Sequence, residues 1–312
     1  MFLSRSYPLN TDNPLLDLSR LPRFARIDAS KVESALDETL AKSRERIKVL
    51  ETRSQSATWE SLASKLQDIE EHLDRVWSPV SHLNAVRDSE EFRAAVDVCL
   101  PKLSAFHTEI GQNLKLYSGY KKIASDADFD DLSPARQKII KNAIRDFRLS
   151  GAELHGEARE RFGEIVSELS SLTNKFDQNL LDATDSWFLD IEDETELKGL
   201  PQSAMDLGRE AATEAGLSGW RFSLQAPSYI PFMMFCENRT LRETMYEAYV
   251  TRASDQGPNA GQFDNGPLMV KILALRAEMA SLLGYPHYAE YALEGRMAKS
   301  ADEVSAFLQR LA

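Results

Sequence analysis

The chain has 312 residues, 43% of them hydrophobic and 28% charged, which is enough ordinary globular sequence for one large core or two smaller ones. Its formal net charge of -12 argues against nucleic acid and against an anionic membrane surface as partners, because both require a cationic protein face. The two cysteines, Cys99 and Cys236, lie far apart and outside any Cys-x-x-Cys pattern. We therefore expect both thiols to be reduced and buried.

The N-terminal segment, residues 1–12, is predicted to be a flexible extension. Its first eight residues lack the continuous apolar core of a signal peptide. No later run approaches the roughly 20 apolar residues that a membrane span needs. The sequence therefore predicts a cytoplasmic protein without a membrane segment.

The first third of the chain has the apolar spacing of helices. The pattern Ser30-Lys31-Val32-Glu33 is typical of a capping box and predicts a helix through Leu50. Thr58 is placed to cap a second helix, which we expect to end at Ser78-Pro79. These two helices should pack as an antiparallel pair.

Further helices are predicted in the middle of the chain. Residues 90–103 have helical spacing, with Pro101 as a kink or break, and a polar, aromatic-dotted helix is expected over 104–120. Ser133-Pro134 combines an N-cap with a proline at the first helical position and predicts a helix that ends at Gly151. From Glu157 to Ala183 the apolar residues predict one long helix inside a helical body.

The hydrophobic period changes after this helix. Apolar residues alternate over 187–191 and again over 220–224, which predicts two strands of a small antiparallel ribbon around a helix at 201–215. A turn-rich loop at 253–267 then leads into a helix that should end at Gly284, with Pro286 just beyond. Ser300-Ala301-Asp302-Glu303 predicts a last amphipathic helix. The fold class is therefore mainly α: a multi-helix body with a small antiparallel β-ribbon.

No catalytic residue and no metal ligand can be assigned from the local patterns. Zinc peptidases need paired histidines, and none of the five histidines here has a second histidine four residues away. The loop at 255–264 lacks the ligand spacing of an EF-hand, so we interpret it as a helix connection. The carboxylate runs are typical of solvated faces, and Met233-Met234 is expected to pack in the core. The histidines, each expected to have a structural role, are His72, His82, His107, His155 and His287.

The most distinctive residues lie between 241 and 285. They are Leu241-Arg242-Glu243, the run from Tyr249 through Arg252 to Ala260, Phe263-Asp264-Asn265, Leu275-Arg276-Ala277-Glu278 and Leu282-Leu283-Gly284-Tyr285. Together with Pro227-Ser228-Tyr229-Ile230-Pro231 and the run 78–84, this pattern resembles the oligopeptidase A branch of the thimet oligopeptidase family of zinc peptidases. The resemblance covers nearly all of the chain after residue 12.

This resemblance implies a zinc metalloendopeptidase that cuts short peptides in a channel between two mostly helical halves. The His-Glu-x-x-His motif of that family is absent here, so the resemblance places the chain in the N-terminal portion of such an enzyme. It implies a wall of the channel, inactive alone, whose partners are short peptides and the missing C-terminal catalytic region. No cofactor is expected in this chain, and zinc is expected in the full-length family member.

Three domains of the sequence follow from this interpretation: the extension at 1–12, a helical N-terminal region at 13–185, and the ribbon plus helices at 186–312 as the start of the peptidase region. The apolar stripe of the last helix still runs at the final residue, which we interpret as a truncation. The alternative hypothesis is a non-enzymatic helical module for peptide binding or protein interaction. A third is a complete helical scaffold that shares only ancestry with the family. A truncated wall should expose a large apolar surface, whereas a stand-alone domain should not.

Overall fold

The computed structural model describes residues 13–87 and 89–312, so the predicted extension at 1–12 lies outside the described residues. Two compact units are present in it: unit 1 comprises the described residues up to Ser171 together with Arg276–Ala312, and unit 2 comprises Leu172–Leu275. The boundary predicted between 185 and 186 stays a prediction. No helix in the described ranges is both long and apolar enough to cross a bilayer.

The mainly helical fold class is confirmed, with twelve α-helices and one two-stranded sheet in the described part of the chain. The elements are α1 (Val32–Glu51), α2 (Ser64–Val86), α3 (Glu90–Gly111), α4 (Leu114–Ala124), α5 (Pro134–Leu149), α6 (Gly156–Asp185), β1 (Phe188–Ile191), α7 (Gln202–Glu214), β2 (Trp220–Ser223), α8 (Ala226–Phe235), α9 (Arg239–Val250), α10 (Gly266–Leu282), α11 (Tyr288–Leu293) and α12 (Ala301–Leu311).

Unit 1 is a helical body in which α1 packs mainly on α2, and α3 packs on both. The start of α1 differs from the predicted capping box. Asp28, rather than Ser30, accepts the capping hydrogen bond, from the Ser30 backbone N–H, in a short 3-10 turn that leads into α1. Thr58 does form the predicted cap and exchanges hydrogen bonds with Ser61 before α2.

The predicted end of α2 at Ser78-Pro79 was wrong, because the helix continues through Pro79 to Val86. A proline inside a helix costs about 3 kcal/mol. The apolar face continues beyond it, and Val76, Val80 and Leu83 are all buried in the unit 1 core. Because burying each such side chain contributes roughly 1.5–3 kcal/mol, this packing outweighs the proline's cost.

The helices at 90–120 also differ from the prediction. Helix α3 continues through Pro101, and the break comes later, between Gly111 and Leu114. Asn113 causes it: its side chain accepts hydrogen bonds from the backbone N–H groups of Lys115 and Leu116 and so caps α4. Helices α5 and α6 begin and end close to their predicted limits.

In unit 2, the predicted ribbon is confirmed as an antiparallel pair with Leu189 opposite Phe222 and Ile191 opposite Trp220. One face of β2 is buried against α7 and α8. The core of the unit includes Phe222, Phe232 and Met245. Gly284 ends α10 with a positive φ of 81°, as the sequence predicted.

Candidate functional site

The five histidines are distributed over several secondary-structure elements. His72 and His82 are on α2, His107 is on α3, and His155 precedes α6. His287 is the N-cap of α11, where its Nδ1 accepts a hydrogen bond from the Glu290 backbone N–H at 3.4 Å. Desolvation by the surrounding helices lowers the pKa of both His72 and His107, although His107 keeps exposed surface, so both imidazoles favour the neutral form near pH 7.

Zinc requires three or four His, Cys, Asp or Glu ligands within bonding distance of one point. Over residues 13–87 and 89–312, no group of three such side chains could hold a metal ion. The side chains in this part of the chain therefore do not fit the zinc that the resemblance implies, and no catalytic step is assigned to them. The absence of catalytic and metal-binding residues in the chain stays a prediction.

Both cysteines are buried free thiols, as expected. Cys99 is on α3 in unit 1, where burial raises the pKa of its thiol to about 11. Cys236 follows α8, where burial also raises the pKa of its thiol, and its sulfur donates a weak hydrogen bond to the Glu196 carbonyl. Because the thiolate is the nucleophile, burial and a raised pKa both disfavour the reactive form of these residues near pH 7.

The loop between α9 and α10 is a helix connection, as predicted, and its polar groups bind one another. Ala253 adopts a positive φ of 49°, and its carbonyl accepts a hydrogen bond from the Asn265 backbone N–H. The Asp264 carboxylate accepts one from the Gly266 backbone N–H at 2.8 Å. The Asp264 side chain is thus used in the loop's own turn into α10.

Asn265 anchors this loop in unit 2. Its side chain is 1% exposed, and its Oδ1 accepts a hydrogen bond from the Asn179 Nδ2 at 2.9 Å. Its own Nδ2 donates to the Phe176 carbonyl at 3.0 Å. The side chain thus joins the loop to α6, and the sequence motif that ends in Asn265 has a structural explanation.

Replacing Asn265 by alanine should destabilise unit 2 by about 2 kcal/mol, because the buried Asn179 amide would lose its acceptor. Amide hydrogen exchange, localised by mass spectrometry to residues 172–275, measures this loss. The matched control is Asn259→Ala, since the Asn259 side chain makes one exposed hydrogen bond, to the Ser186 hydroxyl. We expect the control to cost about 0.5 kcal/mol, and equal effects of the two changes would contradict the anchoring role.

An aromatic and cationic stack precedes the loop. The rings of Tyr229 and Tyr249 lie parallel, with centroids 3.9 Å apart. The Arg252 guanidinium lies over the Tyr249 ring at 3.7 Å from its centroid and donates a hydrogen bond to the Thr184 hydroxyl. The stack joins α8 to the region around the end of α9 and, through Thr184, to the part of α6 in unit 2. Tyr229, Tyr249 and Arg252 therefore have packing roles.

Unit 1 contains a cleft of about 630 Å³ lined by α2, α3, α4 and α5. Its wall is largely apolar and aromatic, and the wall residues Leu73, Leu103, Phe106 and Phe147 belong to the buried core. A mainly apolar cavity with a few polar groups is the usual form of a ligand site. The cleft is therefore the candidate binding site in the described part of unit 1.

The polar groups of the cleft give it negative character. Glu70 retains exposed surface there, yet the surrounding helices desolvate its carboxyl and raise the pKa. Tyr120 is 3% exposed, and burial together with the nearby Glu70 charge raises the pKa of its hydroxyl. His107, with its lowered pKa, adds no positive charge near pH 7.

Sequence reasoning missed this cleft. Carboxylate runs, of which Glu70-Glu71 is one, are predicted to be solvated faces, and His107 is predicted to have only a structural role. A local indication existed, because Glu70 lies between Leu66 and Leu73 on the apolar side of α2. Recognising it as a cleft residue requires knowing that α3 and α5 leave a space beside α2.

Several helices of unit 2 expose apolar side chains one turn apart. Ile230 and Met234 do so on α8. The predicted core position of Met234 is wrong, because this residue is 67% exposed, whereas Met233 is partly buried against the core. Other exposed pairs are Tyr246 with Val250 on α9 and Met269 with Leu273 on α10. Residues spaced by four are neighbours on a helix surface, so each pair forms a small apolar patch.

Comparison with known proteins agrees with the sequence pattern. Residues 36–159 match Neurolysin/Thimet oligopeptidase, N-terminal domain, and residues 232–312 match Peptidase family M3. The chain is 45% identical over 304 residues to Oligopeptidase A of Haemophilus influenzae, an alignment that covers 97% of this chain and 44% of that protein.

Two further relatives extend this similarity. Oligopeptidase A of Escherichia coli is 43% identical over 300 residues, which cover 96% of this chain and 44% of that protein. Probable cytosolic oligopeptidase A of Arabidopsis thaliana is 37% identical over 303 residues, which cover 94% of this chain and 42% of that protein. The chain spans less than half the length of these curated relatives. It belongs to the thimet oligopeptidase family, peptidase family M3, and corresponds to the N-terminal portion of the oligopeptidase A-like members.

Proposed function

We propose that this chain is the N-terminal part of a zinc-dependent metalloendopeptidase that hydrolyses short oligopeptides in the cytoplasm. In this proposal the chain forms one wall of the substrate channel and is inactive alone. The missing C-terminal catalytic region supplies the zinc ligands and the general base. Selection for short peptides then follows from restricted access to the channel.

The observation that carries the proposal is the length and level of the similarity. The chain is 45% identical to an oligopeptidase A over 97% of its own length. The same alignment covers 44% of that relative.

Exposed apolar surface supports the role of a wall. The patches on α8, α9 and α10 are accompanied in unit 1 by Phe307, Leu308 and Leu311 on α12, which are all at least half exposed. Clustered apolar surface of this kind usually marks an interface. We infer that the catalytic region covers these helices. The second candidate, a non-enzymatic peptide-binding module, is supported by the cleft of unit 1.

Hydrolysis of a quenched fluorescent oligopeptide tests the proposal. The purified chain with added zinc should give no chelator-sensitive cleavage. Cleavage should appear when the chain is mixed with a separately produced segment of the Haemophilus influenzae oligopeptidase A, comprising the residues that follow its alignment with this chain. Chelator-sensitive turnover by the chain alone would contradict the proposed inactivity.

A surface variant tests the inferred interface. The double change Val270→Glu and Leu273→Glu places charges on the exposed side of α10, where the two residues are 71% and 64% exposed. It should reduce the activity of the mixture at least about tenfold, because two charges would be buried without partners. The matched control is Val49→Glu, at a 53% exposed position of α1. Equal activity of both variants would argue against α10 as an interface.

A further inference from the structure

The cleft of unit 1 has no part in the peptidase chemistry proposed above. Its volume of about 630 Å³ lies within the range of roughly 300–1,000 Å³ that is usual for ligand pockets. Leu66, Phe106 and Phe147 give it an apolar wall from three different helices. A wall of this kind suits an aromatic or branched aliphatic group.

The charge in the cleft is unbalanced. Three carboxylates line it, those of Glu70, Asp74 and Asp146, and no Lys or Arg lines it. Asp146 forms an ion pair with Arg145 at 2.7 Å. Glu70 and Asp74 lie one turn apart on α2, and neither forms an ion pair or hydrogen bond with another side chain among the described residues. A ligand with a positive charge would complement them.

Tyr120 provides a second, independent observation. Only 3% of its surface is exposed, and it lines the cleft from α4. Its hydroxyl forms no hydrogen bond with the part of the chain that the structure describes. The hydroxyl oxygen itself is not fully buried, and a hydroxyl without a protein partner can donate or accept a hydrogen bond. The hydroxyl is therefore available to a polar group that enters the cleft.

We propose that the cleft binds a short peptide that places an aromatic side chain against the apolar wall and a neighbouring Lys or Arg beside Glu70 and Asp74. The Tyr120 hydroxyl binds a backbone group of the same peptide. Aromatic wall residues favour an aromatic side chain through edge-to-face contacts, and the carboxylates favour the cation. The choice of a peptide rests on the proposed function, whose substrates are oligopeptides.

Fluorescence anisotropy with the full chain measures this binding directly. The probe is a fluorescein-labelled hexapeptide with a central Phe-Arg pair, and the comparison is the same peptide with Phe-Glu. We expect saturable binding of the first and at least about tenfold weaker binding of the second, because the Phe-Glu peptide would place a carboxylate beside Glu70 and Asp74 where the Phe-Arg peptide places a cation. Equal affinity for the two peptides, or binding of neither, would overturn the proposal.

Three variants locate the binding within the cleft. Glu70→Gln keeps the shape of the side chain and should weaken Phe-Arg binding about tenfold, and Tyr120→Phe about fivefold. Glu71→Gln, at the exposed neighbouring position outside the cleft, is the matched control and should change affinity less than about twofold. Circular dichroism confirms that each variant folds.

Unchanged affinity in both folded cleft variants would place the peptide elsewhere and overturn the assignment. Binding is measured without hydrolysis, so this test can fail while the peptidase proposal stands. The mixing experiment can likewise fail while the cleft still binds the peptide.

Discussion

Replacing Phe222 by alanine is expected to destabilise unit 2 by about 4 kcal/mol, because it removes a large buried ring and leaves a cavity. Phe222 is 1% exposed on β2, and its ring meets that of Phe232 edge to face, with centroids 4.8 Å apart. The ring also fills the space beside Gly208 on α7, where an added Cβ would lie 3.1 Å from it. The residue therefore connects the ribbon to two helices.

The free energy of unfolding of unit 2 follows from amide hydrogen exchange in residues 172–275, with urea unfolding as a second measurement. Phe188→Ala is the matched control, because this phenylalanine lies on the neighbouring strand and is 44% exposed. Its ring contacts the Arg221 guanidinium 4.6 Å from the centroid, so we expect a loss of about 1 kcal/mol. Comparable losses from the two changes would mean that the core of unit 2 lies elsewhere.

The second large effect concerns the turn that enters β2. Gly219 has a φ of 83°, and a Cβ added there would lie 2.3 Å from the Ile191 carbonyl oxygen and 2.9 Å from the Glu192 Cα. Both contacts are with backbone, which cannot rotate away. Gly219→Ala should therefore destabilise unit 2 by about 3 kcal/mol, the sum of conformational strain and a forced shift of β1.

Gly216 provides a control in the same connection. Its φ is 71°, yet a Cβ added there would meet nothing within 4 Å. Gly216→Ala should therefore show the conformational term alone, about 1 kcal/mol. The difference between the two variants, measured by hydrogen exchange over 172–275, isolates the steric contact with the end of β1. If both variants lose the same free energy, the close approach at Gly219 has no energetic consequence.

The sequence alone determined the fold class, most helix positions and the family. Helix periodicity and capping are local properties, so α5, α6 and α7 and the ribbon were predictable from their own residues. The predicted ends failed where tertiary packing or a side chain opposed the local pattern. Pro79 stays helical because its neighbours Val76 and Val80 are buried, and Asn113 ends one helix by capping the next.

Only the tertiary structure decided which polar residues line a cleft and which apolar residues stay exposed. Glu70 and Tyr120 are 50 residues apart in the chain by their numbers, and nothing in either local sequence indicates that they share a cleft. The exposed apolar residues of α9 and α10 likewise have the spacing of core residues. A sequence pattern specifies which side chains share a helix face. Whether that face is covered depends on the packing of other helices, which local spacing does not encode.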